Sequence, residues 1–294
     1  MQKIAFIGLG HMGNPMVRNL LKSDFHVRVY DINKSAMDAV ASYGAELTYS
    51  VADTVRDVEL VFTMVQTGQA VKDLCLQDKG IFAEMNPNAF YVDCSSIEIA
   101  VTRELHRIAE SKGIAFLDAP VSGGVRGAEA ATLTLMVGGE EEHFQRVKPI
   151  LEKLGSNVIY AGKAGMGQAA KICNNLILGI SMIAVCEGFN LADKLGLDLK
   201  TFFDISSHAS GQCWSMTSYC PVPGILDNVP ANHHYQPGFM ATMMLKDLHL
   251  AQQAAESVEA IVPLGSVAAE LYTLFIDQGY GAQDFSAIFN MISG

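Results

Sequence analysis

Hydrophobic and polar positions follow two rhythms along this chain, and the rhythm changes after Gly162. Before that glycine, short apolar runs alternate with amphipathic stretches, which is typical of strands and helices built around a parallel sheet. One edge of the sheet is expected to be less regular. The predicted strands are Ile4–Gly8, His26–Asp31, Leu60–Val65, Phe90–Cys94, Ala115–Ala119, Leu133–Val137 and Asn157–Ala161.

After Gly162 the spacing of the apolar positions becomes helical. Three glycines, at 162, 165 and 167, interrupt the chain ahead of a long predicted helix, and such interruptions mark domain boundaries. The pattern predicts an α/β Rossmann domain of mainly parallel sheet over residues 1–163 and an all-α substrate and oligomerisation domain over residues 164–294. Residues 213–238, which contain four prolines, are expected to form a long ordered loop.

Length and composition limit the classes of protein that fit. A chain of 294 residues exceeds one average domain, and 50% hydrophobic with 17% charged residues is a globular composition. The net charge of −11 would repel nucleic acid. The longest strongly apolar stretch, Leu176–Val185, is shorter than the roughly 20 residues that cross a membrane, so we predict a buried helix and no membrane partner. The first predicted strand follows no secretory signal pattern, which favours the cytosol.

Cysteine and histidine patterns exclude other site types. Six cysteines are scattered without a CxxC pair, so we expect reduced thiols and no disulfide framework. His233 and His234 are adjacent, but the sequence offers no companion ligand at metal-binding spacing, so no metal is predicted. The GxSxG pattern of many hydrolases is absent as well.

The helices of the second half are more apolar than one small domain needs, which predicts a homodimer or homotetramer.

A glycine motif follows the first predicted strand. Gly8-Leu9-Gly10-His11-Met12-Gly13 is GxGxxG between a strand and a helix, the arrangement that cradles the pyrophosphate of a dinucleotide. The second strand ends at Asp31, whose carboxylate can accept hydrogen bonds from an adenosine ribose. Asp31 would repel a 2′-phosphate, so we expect NAD over NADP by at least about tenfold in kcat/KM, softened by nearby Lys34. The glycines alone leave FAD open.

Further motifs follow in order along the chain. They are Asp118-Ala119-Pro120-Val121-Ser122-Gly123-Gly124, then Gly165-Met166-Gly167-Gln168-Ala169-Ala170-Lys171 with Asn174-Asn175, and Lys246-Asp247-Leu248. With the glycine motif they resemble the 3-hydroxyacid dehydrogenase family, most closely its 3-hydroxyisobutyrate dehydrogenase branch, over essentially the whole chain. The resemblance implies NAD-dependent oxidation of a small 3-hydroxy acid, namely 3-hydroxyisobutyrate, to methylmalonate semialdehyde in valine breakdown. A reductase of a related semialdehyde, such as tartronate semialdehyde, and a non-catalytic dinucleotide-binding module are the alternatives.

The resemblance assigns the proton transfer to Lys171. It implies that neutral Lys171 takes the hydroxyl proton while hydride passes to the nicotinamide, and that Asn175 holds the substrate. A lysine with partly apolar neighbours has its charged form disfavoured, which makes the amine available as a base. Asn175 lies one helical turn further on the same face. A solvated surface lysine is the alternative interpretation of Lys171.

The predicted substrate contacts lie in three places. Ser122, Gly123 and Gly124 would offer a hydroxyl and unhindered backbone N–H groups to a carboxylate, although an ordinary glycine turn has the same composition. By the same resemblance, Asn174 is a substrate residue. Trp214, the single tryptophan, would form an aromatic wall beside a methyl-bearing substrate, or else pack in the core or at a subunit contact.

The family also implies contacts to the nicotinamide end of the cofactor. Lys246 matches the family lysine there, although the residues alone would predict an exposed ion pair with Asp247. Ser96 stands where the family has threonine and keeps the hydroxyl. Met64-Val65-Gln66 corresponds to the family's Met-Leu-Pro without the proline, and Ala70 replaces a common asparagine. Cofactor contacts from this loop are therefore an open prediction.

Overall fold

Strand β1, Lys3–Ile7, shows how the first part of the chain is built. Ile4 and Phe6 pack into one apolar core, whereas Ala5 and Ile7 pack into another. Successive side chains of a strand point to opposite faces, so a strand covered on both faces is apolar at nearly every position. The apolar runs of the sequence are therefore the strands of a sheet buried between two layers of helices.

The structure is a computed structural model that describes residues 2–294, divided into two units at Lys171 and Ile172. The last strand ends at Gly162 and the long helix begins at Met166, so Gly165 lies between these elements, whereas Gly162 ends the strand and Gly167 lies in the first turn of the helix. The sequence-based boundary at residues 163/164 remains a prediction.

The first unit contains a single mixed sheet. Within residues 2–294 its strands are β1 Lys3–Ile7, β2 His26–Tyr30, β3 Glu46–Leu47, β4 Leu60–Thr63, β5 Phe90–Asp93, β6 Ala115–Asp118, β7 Val121–Ser122, β8 Thr134–Gly139 and β9 Asn157–Gly162. Its helices are α1 Gly13–Lys22, α2 Lys34–Ala41, α3 Val51–Val55, α4 Gly68–Leu76, α5 Ile81–Glu84, α6 Ile99–Ser111, α7 Gly124–Glu129 and α8 Glu141–Leu151. The start of α9, Met166–Lys194, also belongs to this unit.

The strand order confirms the predicted Rossmann domain. Strands β3, β2, β1, β4, β5 and β6 lie side by side in that order and are all parallel. The far edge is irregular, because β8 runs antiparallel to β6 and β7 and parallel to β9. Sequence periodicity missed β3 and β7, since two residues are too few to show a period. The carboxyl ends of the parallel strands share one edge, where such sheets bind their ligands.

The second unit, residues 172–294, is helical, as predicted. It contains most of α9, then α10 Leu199–Ser206, α11 Trp214–Thr217, α12 Ala241–Ser257, α13 Pro263–Phe275 and α14 Ile288–Ser293. Its main apolar core includes the buried side chains of Met182, Met244, Leu248, Tyr272 and Phe275. The predicted loop over 213–238 contains α11 and a short 3-10 helix, Pro230–His233.

Helix α9 corrects one expectation from the sequence. It has 29 residues and is the one helix of the described chain that is long and apolar enough to cross a membrane, because it extends past Leu176–Val185 at both ends. Met182, Cys186 and Phe189 are nevertheless buried in the protein, as in a core helix. The predicted buried helix is correct for this face only, since Ile177 is 68% exposed.

Candidate active site

The glycine motif forms the turn between β1 and α1. Gly8 has a φ of +98°, and a Cβ on it would lie 2.2 Å from the carbonyl oxygen of Met64, so this position requires glycine. A Cβ on Gly10 would meet no described heavy atom within 4 Å, so this face of the loop is open to a ligand. The first turn of α1, beginning at Gly13, has no capping side chain from residues 2–294 and no acidic residue, so the positive end of the helix dipole favours an anion there. The loop therefore fits a dinucleotide pyrophosphate.

Asp31 links the end of β2 to this loop. One carboxylate oxygen accepts a hydrogen bond of 2.6 Å from the backbone N–H of Leu9, and the other accepts one of 2.7 Å from Asn33. Leu9 is buried, whereas His11 in the same loop is exposed. Met12 is half-buried against the core. The acidic residue that the sequence predicted beside the ribose thus also fixes the glycine loop.

The loops after β4 and β5 are joined by a serine. Ser95 Oγ accepts a hydrogen bond of 2.9 Å from the N–H of Val65. Met64 is half-buried and Gln66 is exposed, and Ser96 is half-buried in the neighbouring loop. Gln66 lacks the rigid ring of the family's proline, but the backbone of Val65 just before it is held by the hydrogen bond to Ser95.

Asp93, at the end of β5, lies fully buried beneath these loops. Its Oδ1 accepts hydrogen bonds from Thr63 Oγ1 at 2.7 Å and from the N–H of Ser95 at 3.1 Å. Burial is the largest influence on this carboxyl group and raises the pKa of Asp93 to about 6, against the lowering effect of these hydrogen bonds. The sequence analysis did not single out Asp93, although an acidic residue that ends an apolar strand was a visible signal.

In the Ser122-Gly123-Gly124 segment, Ser122 ends β7 and Gly124 begins α7. Gly123 and Gly124 have φ values of +131° and +62°. Ser122 and Gly124 are half-buried and Gly123 is exposed, so the segment borders solvent. The hydroxyl of Ser122 and a glycine backbone without side chains thus lie next to each other at this turn, as the substrate hypothesis requires.

Asp118, in the same motif as Ser122, anchors the beginning of α9. Its carboxylate accepts hydrogen bonds from the N–H of Gly165 at 2.9 Å, from the N–H of Gln168 at 3.0 Å and from His106 Nε2 at 2.9 Å. A carboxylate at a helix N-terminus satisfies N–H groups that lack a partner within the helix and interacts favourably with the helix dipole. The motif was recognised from the sequence, but this role of its aspartate was not.

Lys171 lies in the second turn of α9 and is 8% exposed. The helix starts very close to the sheet, because a Cβ on Gly167 would lie 2.3 Å from the carbonyl oxygen of Met136. Asp118 and this close approach together determine where the backbone of Lys171 lies. The alternative of a solvated surface lysine is wrong, since a surface position would leave the side chain far more exposed.

In the second unit, four polar side chains from α9 and α12 form one network. Asn174 Nδ2 donates to Asn175 Oδ1 at 2.9 Å, and Asn175 Nδ2 donates to Asp247 Oδ2. Lys246 Nζ lies 3.2 Å from the other oxygen of Asp247. Asp247 is buried, so the exposed ion pair that the residues alone predicted is wrong. The sequence analysis assigned site roles to Asn174, Asn175 and Lys246, but it considered Asp247 only as an ion-pair partner of Lys246 and gave it no role in the site.

Trp214 is half-exposed and stacks on Tyr219, with ring centroids 4.9 Å apart and planes at 20°. The hydroxyl of Tyr219 donates to Asp284 Oδ2 at 2.9 Å. Asp284 is buried, and burial raises the pKa of this carboxyl above its ordinary range. Core packing therefore does not account for Trp214, because about half of its surface, 49%, is accessible.

The adjacent histidines lie on the surface of the second unit. His233 and His234 are exposed at the end of the short 3-10 helix. Across residues 2–294, the structure brings no three His, Cys, Asp or Glu side chains into a group that could hold a metal ion.

Two family models match the sequence. The NAD binding domain of 6-phosphogluconate dehydrogenase matches residues 3–162. The NAD-binding domain of NADP-dependent 3-hydroxyisobutyrate dehydrogenase matches residues 165–292. The two matches thus cover nearly the whole chain.

Known proteins are similar over the same length. NAD-dependent L-serine dehydrogenase of Pseudomonas aeruginosa is 43% identical over 288 residues, which cover 98% of this chain and 97% of that protein. Human mitochondrial 3-hydroxyisobutyrate dehydrogenase is 42% identical over 98% of this chain and 86% of its own. The structure of Mycobacterium tuberculosis 3-hydroxyisobutyrate dehydrogenase with L-serine has a TM-score of 0.94 at 42% identity and covers 100% of both chains.

Proposed function

The chain belongs to the 3-hydroxyisobutyrate dehydrogenase family of NAD-dependent oxidoreductases, and on that premise we propose that it oxidises 3-hydroxyisobutyrate to methylmalonate semialdehyde. The observation that supports this proposal most is a buried lysine, Lys171, at the anchored start of α9. The full-length similarity to dehydrogenases favours this activity over a non-catalytic binding module.

Lys171 is the proposed proton-transfer residue. In the oxidation, its neutral amine takes the proton from the substrate hydroxyl, and in the reverse direction its ammonium returns a proton to the alkoxide. Bound NAD supplies the nicotinamide carbon that accepts hydride from the carbinol carbon. A general base of this kind typically contributes about 10²- to 10⁴-fold to a rate.

The polar network of the second unit is assigned to substrate and cofactor orientation. Asp247 fixes the amide of Asn175, whose NH2 group has a second hydrogen with which it can donate to a substrate oxygen. Asn174 supports that amide from its other side. Ser122, with the two glycines that follow it, is assigned to the substrate carboxylate, since a hydroxyl and glycine N–H groups suit an anion.

The residues proposed to hold NAD lie along the carboxyl edge of the sheet and on α12. They are Gly8, Leu9, Gly10, His11, Met12, Gly13, Asp31, Met64, Val65, Gln66, Ser96 and Lys246. The preference for NAD over NADP is assigned to Asp31. Backbone hydrogen bonds to both of its oxygens hold the carboxylate at the end of β2, and its charge repels a 2′-phosphate.

L-serine is the second candidate substrate. A relative from Pseudomonas aeruginosa is named for it, and the similar structure from Mycobacterium tuberculosis contains it. Both acids have a primary alcohol at C3, and they differ at C2, where one has a methyl group and the other an ammonium group. The exposed face of Trp214 suits the methyl group, and contact with one methyl is worth about 1–3 kcal/mol in discrimination.

Steady-state kinetics with purified protein test the substrate. We expect kcat/KM for 3-hydroxyisobutyrate to exceed that for L-serine by at least about tenfold, the lower end of what one methyl contact provides. The same assay run in reverse with tartronate semialdehyde tests the reductase alternative. A higher kcat/KM for L-serine or for tartronate semialdehyde would replace the proposed substrate without affecting the dehydrogenase assignment.

The cellular setting is proposed with the function. All six cysteines are free, which supports a reducing compartment, the cytosol, where the reaction would serve valine breakdown. Exposed apolar side chains on α9 and α13, including Ile177, Leu191, Leu264 and Val267, support a homodimer or homotetramer. Size-exclusion chromatography with light scattering gives the subunit number, and a monomer at micromolar concentration would contradict this assembly.

A further inference from the structure

Gln168 lies three residues before Lys171 and is fully buried. Its Nε2 donates a hydrogen bond of 2.7 Å to the carbonyl oxygen of Ser95, and its Oε1 accepts one of 3.2 Å from the N–H of Ile97. Both ends of one side-chain amide therefore bind the backbone of the loop that follows β5. Because an amide has its donor and acceptor at opposite ends, this pair of contacts fixes both the distance and the orientation of the loop.

The loop held by Gln168 is itself joined to the neighbouring loop. Ser95 binds Gln168 through its carbonyl oxygen, Val65 through its hydroxyl and Asp93 through its N–H. Ser96, which is proposed to contact the cofactor, lies between the two residues that Gln168 binds. A displacement of Gln168 would therefore shift backbone on the cofactor side of the first unit.

The other end of the connection is the turn of α9 that contains Lys171. The N–H of Gln168 donates to Asp118, so backbone and side chain of this one residue link the helix both to the end of β6 and to the loop after β5. Hydride and proton leave the same carbinol group, and the groups that receive them must both stay within about 3–3.5 Å of the reacting atoms.

We propose that Gln168 is a positioning residue that keeps Lys171 in register with the loop containing Ser96. This inference rests on the proposed role of Lys171 as the proton acceptor. Gln168 does not itself exchange a proton with the substrate. It sets the separation between the amine and the cofactor loop, and a misplacement of about 1 Å can cost on the order of 100-fold in rate.

Gln168→Met is the direct test, because methionine has a similar length and volume but neither donates nor accepts at these two sites. Gln168→Glu keeps the acceptor for Ile97 and places a second acceptor against the carbonyl of Ser95, so it should be impaired as well. Gln253→Met, at an exposed glutamine of α12, is the matched control and should behave as the parent protein.

The readout is kcat per NADH-binding site, with sites counted by fluorescence titration, in the parent and in a Lys171→Ala background. We expect Gln168→Met to lower kcat per site by about 10- to 100-fold in the parent and by less than about threefold in the Lys171→Ala background. A residue with only a structural role would reduce the number of binding sites and leave kcat per site unchanged.

Three results would overturn the inference. They are an unchanged kcat per site, a loss explained by missing sites alone, and equal losses in both backgrounds. If Gln168→Met does not fold, Gln168→Glu decides by the same criteria. Near-normal turnover of Lys171→Ala by itself would instead refute the role proposed for the lysine, so the two failures are distinguishable.

Discussion

Asn175 donates a hydrogen bond to the carboxylate of Asp247, and both side chains are buried although they belong to different helices. An ionised carboxylate only accepts, so it faces the NH2 end of the amide and fixes which way the asparagine points. The other oxygen of Asp247 lies 3.2 Å from Lys246 Nζ. Two side chains assigned to substrate and cofactor thus depend on one carboxylate.

We expect Asp247→Ala to lower kcat/KM for the hydroxy acid by about 10- to 100-fold, because the amide can then rotate away from its productive orientation. The free energy of unfolding should fall by about 1–3 kcal/mol, since a buried amide donor loses its partner. Asp247→Asn can still accept a hydrogen bond from Asn175, so its kcat/KM and its free energy of unfolding should lie between those of the parent and of Asp247→Ala. Steady-state kinetics and urea unfolding measure both effects, with exposed Asp193→Ala as the control. A folded Asp247→Ala with unchanged kcat/KM would contradict the assignment.

Lys171→Ala should retain the cofactor site and lose turnover. The expected loss in kcat is about 100-fold or more, the usual contribution of a general base, while the Kd for NADH should change by less than about threefold. Initial-rate assays and fluorescence titration separate the two quantities. Lys163→Ala, at an exposed lysine ahead of α9, is the control and should leave both unchanged. Turnover within about twofold of the parent would remove Lys171 from the mechanism.

Asp31→Ala should change the cofactor preference. Removing the carboxylate removes the repulsion of a 2′-phosphate, and it also releases the N–H groups of Leu9 and Asn33. We expect kcat/KM with NAD to fall. The ratio of kcat/KM with NAD to kcat/KM with NADP should drop from at least about ten to near one. Both cofactors are assayed at fixed substrate, with exposed Asp38→Ala in α2 for comparison. A parent enzyme equally efficient with both cofactors would refute the role of Asp31 in selectivity.

Asp93 should make the stability of the protein depend on pH. Its ordinary pKa of 3.8 is raised to about 6 by burial, so between these values the folded state holds a proton that the unfolded state has released. Stability from this group is therefore present below about pH 4, falls as the pH rises to about 6 and stays constant above it. At about 1.4 kcal/mol per pH unit, the change reaches at most about 3 kcal/mol.

Asp93→Asn removes this titration while keeping the shape of the side chain. The free energy of unfolding of the parent minus that of Asp93→Asn should become more negative from pH 4.5 to pH 7, measured by urea unfolding at each pH. Exposed Asp38→Asn should give a difference that does not vary over the same range. A constant difference for Asp93→Asn would show that the buried carboxyl is ionised throughout.

The sequence by itself determined the strands other than the two-residue β3 and β7, the change to helices after Gly162, the glycine turn after β1 and the acidic end of β2. It could do so because these features are local. A strand buried on both faces is apolar over four or five adjacent residues, and the turn at Gly8 needs a backbone conformation that glycine provides. The motifs around Ser122 and Lys171 could be found for the same reason, since each lies in one short segment.

Only the tertiary structure decided which side chains meet. Asn175 and Asp247 are 72 residues apart in sequence, and Asp118 and Gln168 are 50 apart. Their contacts depend on the packing of whole helices and strands, which no local period records. The structure also decided that Lys171 is buried and that Lys246 pairs with a buried carboxylate. The residue types of a site can be recognised locally, but their orientation follows from hydrogen bonds between elements distant along the chain.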